Sequence, residues 1–232
     1  MGYHRAGFEV VGVDIEPQKN FPFEFHHADA LEFCAEHGAE FDVIHASPVC
    51  KGYSNLRSLW KDREYPDQIG ELRQVLTATG KPYVIENVPG APLLDPLMLC
   101  GSMFGLRVYR HRLFECNPKI NTTPGVCNHW AKASGNRSLK AQKRVTPNLT
   151  DFDILTVTGH DFIVADARIA MGIDWMTREE LSQAIPPAYT EWLGQQLITV
   201  CRLTQLAPDR AGSDDGDDLG TTRAAGENTD AV

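Results

Sequence analysis

The chain has 232 residues, 42% of them hydrophobic, and a formal net charge of −9. This length is enough for one α/β domain with a sizeable core and a small appended lobe. No apolar run approaches the roughly 18 residues of a membrane span, and the chain opens without the apolar stretch of a secretory signal. The lack of a long apolar run also indicates that the protein does not contact a membrane. Because the six cysteines form no CxxC pair or dense disulfide pattern, we expect a cytoplasmic protein.

Short apolar runs at 9–15, 41–47 and 82–88 predict buried parallel strands. Between the last two, a helical face predicts a helix that Asp67 caps and Gly80 ends; the face consists of Ile69, Leu72, Val75, Leu76 and Thr79. Strands that alternate with helices indicate an α/β fold with right-handed crossovers. Ligands bind such sheets at the carboxyl ends of the strands.

Beyond residue 116 the pattern becomes irregular. Pro, Gly, Asn and Ser dominate 117–162, which we expect to form a small loop-rich lobe. Helical spacing returns at 167–171, 178–183 and 189–203, and 207–232 is an acidic stretch that we expect to be disordered. These boundaries predict a core at 1–116, a lobe at 117–162, a segment completing the core at 163–206, and a tail.

The loop-rich region carries a concentrated positive charge although the whole chain is acidic. No acidic residue occurs from 116 to 150, and six basic residues do: Lys119, Lys132, Arg137, Lys140, Lys143 and Arg144. Since phosphate binding depends on the local field, this stretch is a candidate DNA-binding surface. A solvated basic loop without a ligand explains the charge equally well.

Three motifs at predicted strand ends could carry chemistry. In 46–54 (ASPVCKGYS), Cys50 follows a strand, and neighbours such as Lys51 would favour its thiolate; the alternative is a small buried hydrophobe. In 85–90 (IENVPG), a protonated Glu86 could hydrogen-bond a pyrimidine nitrogen, or it is only a solvated strand end. In 110–114 (RHRLF), Arg110 and Arg112 should point to one side of a strand, toward a base carbonyl and a phosphate, or form a charged strand edge.

The order of these motifs, followed by 183–189 (QAIPPAY), resembles the DNA cytosine-C5 methyltransferase family in its compact, phage-like form. The resemblance covers about residues 2–203, with 167–172 (ARIAMG) similar to the penultimate motif. It implies a Rossmann-like methyltransferase sheet with a target-recognition lobe at 117–162. It also implies that double-stranded DNA is the partner of a monomer in a bacterial or phage-infected cytoplasm. A restriction endonuclease counterpart cannot be detected in the sequence.

The resemblance also assigns roles to the catalytic candidates. Cys50 would add to C6 of a flipped cytosine, Glu86 would contact N3 and the amino group, and Asn87 would brace the nucleophile loop. Arg112 would contact the cytosine carbonyl, and Arg110 would support the loop.

A second set of residues would hold the methyl donor, S-adenosylmethionine. Asp14 would bind the ribose hydroxyls and Asp29 the adenine amino group, and the remaining expected contacts are Ile15, Pro48, Gln183 and Ile185.

The sequence departs from the family at its start. The family's first strand and Gly-rich cofactor loop have no counterpart before 1–8 (MGYHRAGF), which resembles the helix that follows them. The resemblance therefore predicts a sheet without its central first strand and weak cofactor binding by this chain, whose true start we expect upstream; the alternative is a degraded, inactive remnant. Smaller departures are Val49 in place of proline, Lys51 in place of glutamine and Gln183 in place of asparagine.

Two other functions remain open. One is a DNA-binding remnant without catalysis, and the other is an enzyme that modifies a free pyrimidine monophosphate through a cysteine. A zinc site in the lobe could use Cys116, Cys127 and His129, with His160 as a fourth ligand and Cys100 as a competitor. Because this spacing matches no standard ligand pattern, the sequence assigns no metal.

Overall fold

The computed structural model describes residues 1–50, 52–53, 67–133, 153–159 and 162–206, the last four without their side chains. The helices are α1 (Gly2–Arg5), α2 (Ala30–His37), α3 (Ile69–Ala78), α4 (Val164–Met171), α5 (Arg178–Gln183) and α6 (Pro187–Leu206). The strands are β1 (Val11–Asp14), β2 (Glu24–His27), β3 (Ile44–Ala46), β4 (Tyr83–Asn87), β5 (Leu97–Leu99) and β6 (Arg112–Asn117). Each described helix is too short or too polar to cross a lipid bilayer.

The described strands form two ladders. β1 and β2 pair in parallel, and a second sheet has the order β3-β4-β6-β5, with β3 parallel to β4 and the other pairs antiparallel. Within the described ranges, β1 and β3 each have a strand on one side only. The larger sheet is therefore mixed, not wholly parallel as the sequence predicts, because β6 pairs antiparallel with β4 and β5 pairs antiparallel with β6.

β4 is the central strand of the larger sheet, and all five of its residues are buried. One apolar cluster covers it with Leu193 and Leu197 of α6, and another with Leu72 and Leu76 of α3. Helices on both faces explain why residues 82–88 are apolar without alternation. This burial fixes the position of the polar residues at the end of β4.

Helix α3 occupies the predicted span, although its N-cap is Gln68 and not the predicted Asp67. The Asp67 carboxylate accepts a hydrogen bond from the Ile69 amide at 3.2 Å, and Gly80 follows the helix with φ +68°. A positive φ is strained for residues with a Cβ, so glycine suits this turn. The predicted strands 9–15, 41–47 and 82–88 are each present in shortened form, as β1, β3 and β4.

The short helix α1 packs directly on α6. A Cβ at Gly194 would lie 2.7 Å from the Ala6 Cβ, and one at Gly2 would lie 2.2 Å from the Pro187 carbonyl oxygen. Glycine at both positions therefore permits this close approach. The contact places Tyr3, on α1, against the aromatic ring of His45 on β3.

Part of the sequence lies outside the described residues. It includes Lys51, His160, the predicted acidic tail at 207–232 and four of the six predicted DNA-contacting residues, namely Arg137, Lys140, Lys143 and Arg144. The described parts of the predicted lobe, 118–133 and 153–159, contain no helix and only an isolated bridge between Leu155 and Val108.

Candidate active site

An ion pair between Glu86 and Arg112 lies at the end of β4. Glu86 pairs with Phe114 across the antiparallel ladder, and Arg112 is two residues from Phe114, so both side chains project from the same face. Arg112 Nε lies 2.9 Å from Glu86 Oε1, and both side chains are largely buried. The Arg112 Nη1 group also donates to the His111 carbonyl at 2.9 Å, which fixes the guanidinium orientation.

Glu86 is held in an environment that favours its neutral form. Burial raises the pKa of Glu86 above its ordinary value, although the charge of Arg112 and a hydrogen bond with Ser47 oppose this shift. A carboxyl group with a raised pKa can donate a proton or a hydrogen bond at neutral pH. This is the property that interaction with a pyrimidine ring nitrogen requires.

Asn87 connects the end of β4 to the segment that carries Cys50. Its Nδ2 donates to the Pro48 carbonyl at 3.1 Å, and its Oδ1 accepts from the Val88 amide at 2.9 Å. Both polar ends of this buried amide are used, so its rotamer and the backbone at Pro48 are fixed relative to β4. Two residues further on, Cys50 is exposed, and its carbonyl accepts from the Tyr53 amide at 3.1 Å in a turn.

Arg110 is buried behind this arrangement and contacts backbone carbonyls. Its Nη1 donates to Val157 O and its Nη2 to Ser182 O at 2.7 Å, while the Tyr189 hydroxyl donates to the Arg110 carbonyl at 2.7 Å. Burial, together with the charge of Arg112, lowers the pKa of Arg110 to about 9. Arg110 precedes β6 rather than lying on it, so strand alternation does not determine its direction.

The fields of Glu86 and of a Cys50 thiolate oppose that lowering of the Arg110 pKa. Cys50, Glu86 and Arg112 are thus each within electrostatic range of Arg110. Among the buried side-chain nitrogen and oxygen atoms of the described residues, Arg110 Nε is the one without a hydrogen-bond partner.

A polar chain behind Glu86 was not predicted from the sequence. Tyr3 Oη lies 2.7 Å from His45 Nδ1, and His45 Nε2 lies 3.2 Å from Ser47 Oγ, which in turn hydrogen-bonds Glu86. Burial lowers the pKa of His45 to about 4, so its ring is neutral at physiological pH. The one sequence feature that could have indicated this polar chain is a histidine within the apolar run 41–47.

The candidate cofactor residues Asp14, Ile15 and Asp29 lie at one edge, where β1 and β2 end. The Asp14 carboxylate accepts from the Glu16 amide at 2.8 Å and from Gln18 Nε2 at 3.1 Å. Ile15 is 65% exposed. Asp29 caps α2 through a single oxygen, Oδ1, which accepts from two backbone amides.

The other candidate cofactor residues lie on separate elements. Pro48 is in the Cys50 segment, Gln183 ends α5, and Ile185 packs against the α6 cluster. A contact between Asn20, which precedes β2, and Glu180 of α5 joins the Asp14 edge to this region, with N–O distances of 2.9 and 3.1 Å. The sequence gave no indication of this contact.

The described basic candidates differ in their surroundings. Lys119 is paired with the Asp95 carboxylate outside the predicted lobe, so part of its charge is already neutralised. The sequence count missed this pairing because Asp95 lies 24 residues earlier. Lys132 is exposed.

The predicted zinc ligands are not assembled as the sequence suggested. Cys116 lies on β6 with its Sγ directed to the Phe114 carbonyl, and it shares the Arg112 face of the strand. Cys127 and His129 instead lie near Cys100 and His111, and His160 is outside the described residues. The antiparallel pairing of β5 with β6 is the cause, because it places Leu99 opposite Arg112 and so brings Cys100 beside His111.

A cleft elsewhere on the surface does not coincide with these residues. It opens between α1 and β2 and is lined by His4, Phe8, Val10 and Phe23, among others. No catalytic candidate contributes to its walls.

Comparison with known proteins yields a match in structure and none in sequence. No family model matches the chain, and no curated protein matches it. A solved structure of a prophage-encoded protein (E. coli), which carries the provisional designation DNA modification methyltransferase, matches with a TM-score of 0.53. That match has 15% sequence identity and covers 87% of this chain and 95% of the other. The chain therefore has a Rossmann-like methyltransferase fold, as the sequence predicts.

Proposed function

We propose that this protein is a DNA cytosine-C5 methyltransferase with Cys50 as its nucleophile. The observation that carries the proposal is the buried Glu86–Arg112 pair on β4 and β6, with Asn87 tying the Cys50 segment to the same strand end. A thiol, a protonatable carboxyl group and a guanidinium are the groups needed to activate a pyrimidine ring. The similar prophage-encoded structure adds support for DNA as the substrate.

The nucleophilic step follows from the positions of these groups. The Cys50 thiolate would add to C6 of a cytosine flipped out of the duplex, since the face of a stacked base cannot be reached. Electron density then moves from the C5–C6 double bond toward C5 and N3. A protonated Glu86 would hydrogen-bond N3, and Arg112 would donate to the carbonyl oxygen at C2. With the methyl group on C5 and S-adenosylhomocysteine as the leaving group, loss of the C5 proton to a base from solvent would re-form the double bond and release the thiolate.

The Asp14 edge offers groups that would hold S-adenosylmethionine, the donor of the methyl group to C5, although the sequence predicts that this chain binds it weakly. The Asp14 carboxylate has acceptor capacity beyond its two hydrogen bonds, since each oxygen has two lone pairs. Exposed Ile15 would cover the adenine face, and the second oxygen of Asp29 would accept from the adenine amino group. Pro48, Gln183 and Ile185 would complete this surface.

Arg110 and Asn87 would act as positioning residues rather than as groups that touch the base. The Arg110 guanidinium holds the carbonyls of Val157 and Ser182, which places it between the lobe and α5. Its unpartnered Nε and its charge would hold a Cys50 thiolate or a nearby phosphate. The remaining phosphate contacts would come from Lys132, Arg137, Lys140, Lys143 and Arg144, with Lys119 contributing less because of Asp95.

Transfer of a labelled methyl group from S-adenosylmethionine to duplex DNA tests this proposal. Wild-type protein and Cys201→Ala, a control at a cysteine on α6 far along the chain, should label cytosine C5. Cys50→Ala should not. Label in cytidine monophosphate but not in duplex DNA would instead indicate an enzyme acting on free nucleotides. DNA retention without labelling would indicate a non-catalytic DNA-binding protein, and either result would overturn the proposal.

A further inference from the structure

Two cysteines and two histidines from three separate segments converge beside the candidate active site. Cys100 follows β5, His111 precedes β6, and Cys127 and His129 lie in the loop-rich region. One ligand atom from each side chain lies within 4.8 Å of all the others. From this convergence we propose that these four residues bind one Zn²⁺ ion in a structural site.

The spacing of the four donor atoms agrees with tetrahedral zinc. With Zn–S of about 2.3 Å and Zn–N of about 2.0–2.1 Å, a tetrahedral site separates sulfur from nitrogen by about 3.5 Å. The sulfur–nitrogen distance is 3.5 Å from Cys100 to His129, 3.4 Å from Cys127 to His129 and 3.4 Å from Cys127 to His111. The donors are therefore placed for a metal without rearrangement of the backbone.

The donor set favours zinc and a structural role. Two sulfur and two nitrogen ligands in a tetrahedron are typical of zinc, and four protein ligands leave no position for a reacting water. Binding would release the two thiol protons, and the two thiolates would neutralise the charge of the dication. No carboxylate belongs to this cluster, which argues against the harder cations Mg²⁺ and Ca²⁺.

Neighbouring side chains hold the proposed ligands in position by hydrogen bonding and ring stacking. Ser102 Oγ lies 3.3 Å from Cys100 Sγ, donates to it, and accepts from the Asn128 amide at 3.1 Å. The Tyr109 ring stacks on His129 with centroids 3.9 Å apart and an interplanar angle of 14°. Hydrogen bonds to thiolates and packing against imidazole rings tune and fix metal ligands.

Apart from the buried Ile120 and a few hydrogen bonds to the rest of the chain, the surrounding loop has few anchors. In 118–133 there is no helix or strand, Val126 is 85% exposed, and Trp130 is 51% exposed. Apolar burial in this loop is therefore small, and a metal cross-link between it and the ends of β5 and β6 would supply the missing constraint.

The site would also support the candidate catalytic arginines. His111 lies between Arg110 and Arg112, and its carbonyl accepts from Arg112. A metal bound to His111 would thus fix the backbone that orients the Glu86–Arg112 pair. This consequence, unlike zinc binding itself, rests on the proposed function.

Metal analysis of the purified full chain tests the site directly. Protein prepared with zinc and then dialysed should retain about one zinc per chain. Replacement by Co²⁺ should give the visible bands of a tetrahedral site together with thiolate-to-cobalt charge transfer. Absence of stoichiometric zinc and of these bands would overturn the proposal.

Paired substitutions separate the structural assignment from the alternative that the sequence suggested. Cys100→Ser and Cys127→Ser should each lower zinc affinity at least tenfold, whereas Cys116→Ser and Cys201→Ser should retain one zinc. Loss of zinc in Cys116→Ser, with retention in Cys100→Ser, would contradict the site. Since zinc content does not depend on activity, a metal-loaded chain that transfers no methyl group would count against the proposed function alone.

Discussion

The side chains of the candidate catalytic centre and those of the loop-rich region next to it are held in position in different ways. Glu86 and Arg112 meet because β4 and β6 are paired and buried, so backbone hydrogen bonds set their 2.9 Å separation. In 118–133 no such ladder exists, and Cys127 and His129 instead lie in a side-chain cluster with Cys100 and His111. The comparison indicates that backbone pairing positions the first pair of side chains, whereas the proposed zinc ion would position the second region.

The largest expected effect is at the nucleophile. Cys50→Ala should reduce methyl transfer to background while leaving the unfolding transition unchanged, because Cys50 is exposed and contributes little to the core. Methyl-transfer assays and thermal unfolding on the same preparation check both parts. Near-normal activity of Cys50→Ala would show that Cys50 is not the nucleophile.

Glu86→Gln should lower the rate of methyl transfer by about 10²-fold or more, because the amide cannot protonate the ring nitrogen. With the pKa of Glu86 raised by burial, the wild-type rate should fall as pH increases through that pKa and the protonated form is lost. The glutamine variant should lack this limb of the pH profile. A wild-type profile that rises over the same range would contradict the role given to Glu86.

Arg110→Met should destabilise the fold by about 3 kcal/mol, since it leaves the carbonyls of Val157 and Ser182 without their donor. Urea unfolding of the variant measures this loss. Lys132→Met, at an exposed position, is the matched control and should change stability by less than about 0.5 kcal/mol. Equal stability of the two variants would mean that Arg110 does not join the lobe to α5.

A buried ion pair away from the catalytic centre predicts a smaller effect at acid pH. Burial alone would raise the pKa of Glu115, but hydrogen bonds from Arg73 at 2.6 and 2.8 Å and from the Leu94 amide outweigh it and lower the pKa. A lowered folded-state pKa stabilises the protein above the unfolded value of about 4.3, and this stabilisation is lost as pH falls below it. Glu115→Gln should weaken that dependence in unfolding measured from pH 7 to pH 3, and an unchanged slope would refute it.

The smallest effect should distinguish two lysines of the loop-rich region. Lys132→Gln should reduce the salt dependence of DNA binding by about one phosphate contact. Lys119→Gln should change it less, because Asp95 already pairs with that ammonium group. Binding titrations at several salt concentrations compare them, and a larger effect at Lys119 would reverse the assignment.

The sequence predicted those parts of the molecule that depend on local patterns. Helix α3, with Asp67 at its start and Gly80 at its end, follows from spacing and capping chemistry. The proximity of Glu86 and Arg112 followed from motif order, although their residue positions differ by 26 along the chain.

Contacts that depend on strand register could not be predicted in this way. Cys100 comes beside His111 only because Leu99 pairs with Arg112, so the sequence spacing favoured Cys116 instead. The chain from Tyr3 through His45 to Ser47 depends on how α1 packs across β3, and the contact of Asn20 with Glu180 spans 160 positions. Neither carries a local sequence signal.

The central claim is that the Cys50 sulfur bonds to a cytosine ring. A duplex containing 5-fluorocytosine tests it most directly, because the fluorine at C5 cannot leave as a proton does and the adduct should persist after methylation. With S-adenosylmethionine present, we expect a stable covalent protein–DNA complex whose cross-linked peptide contains Cys50. A complex that forms equally with Cys50→Ala, or label transfer by active protein without any adduct, would contradict the account.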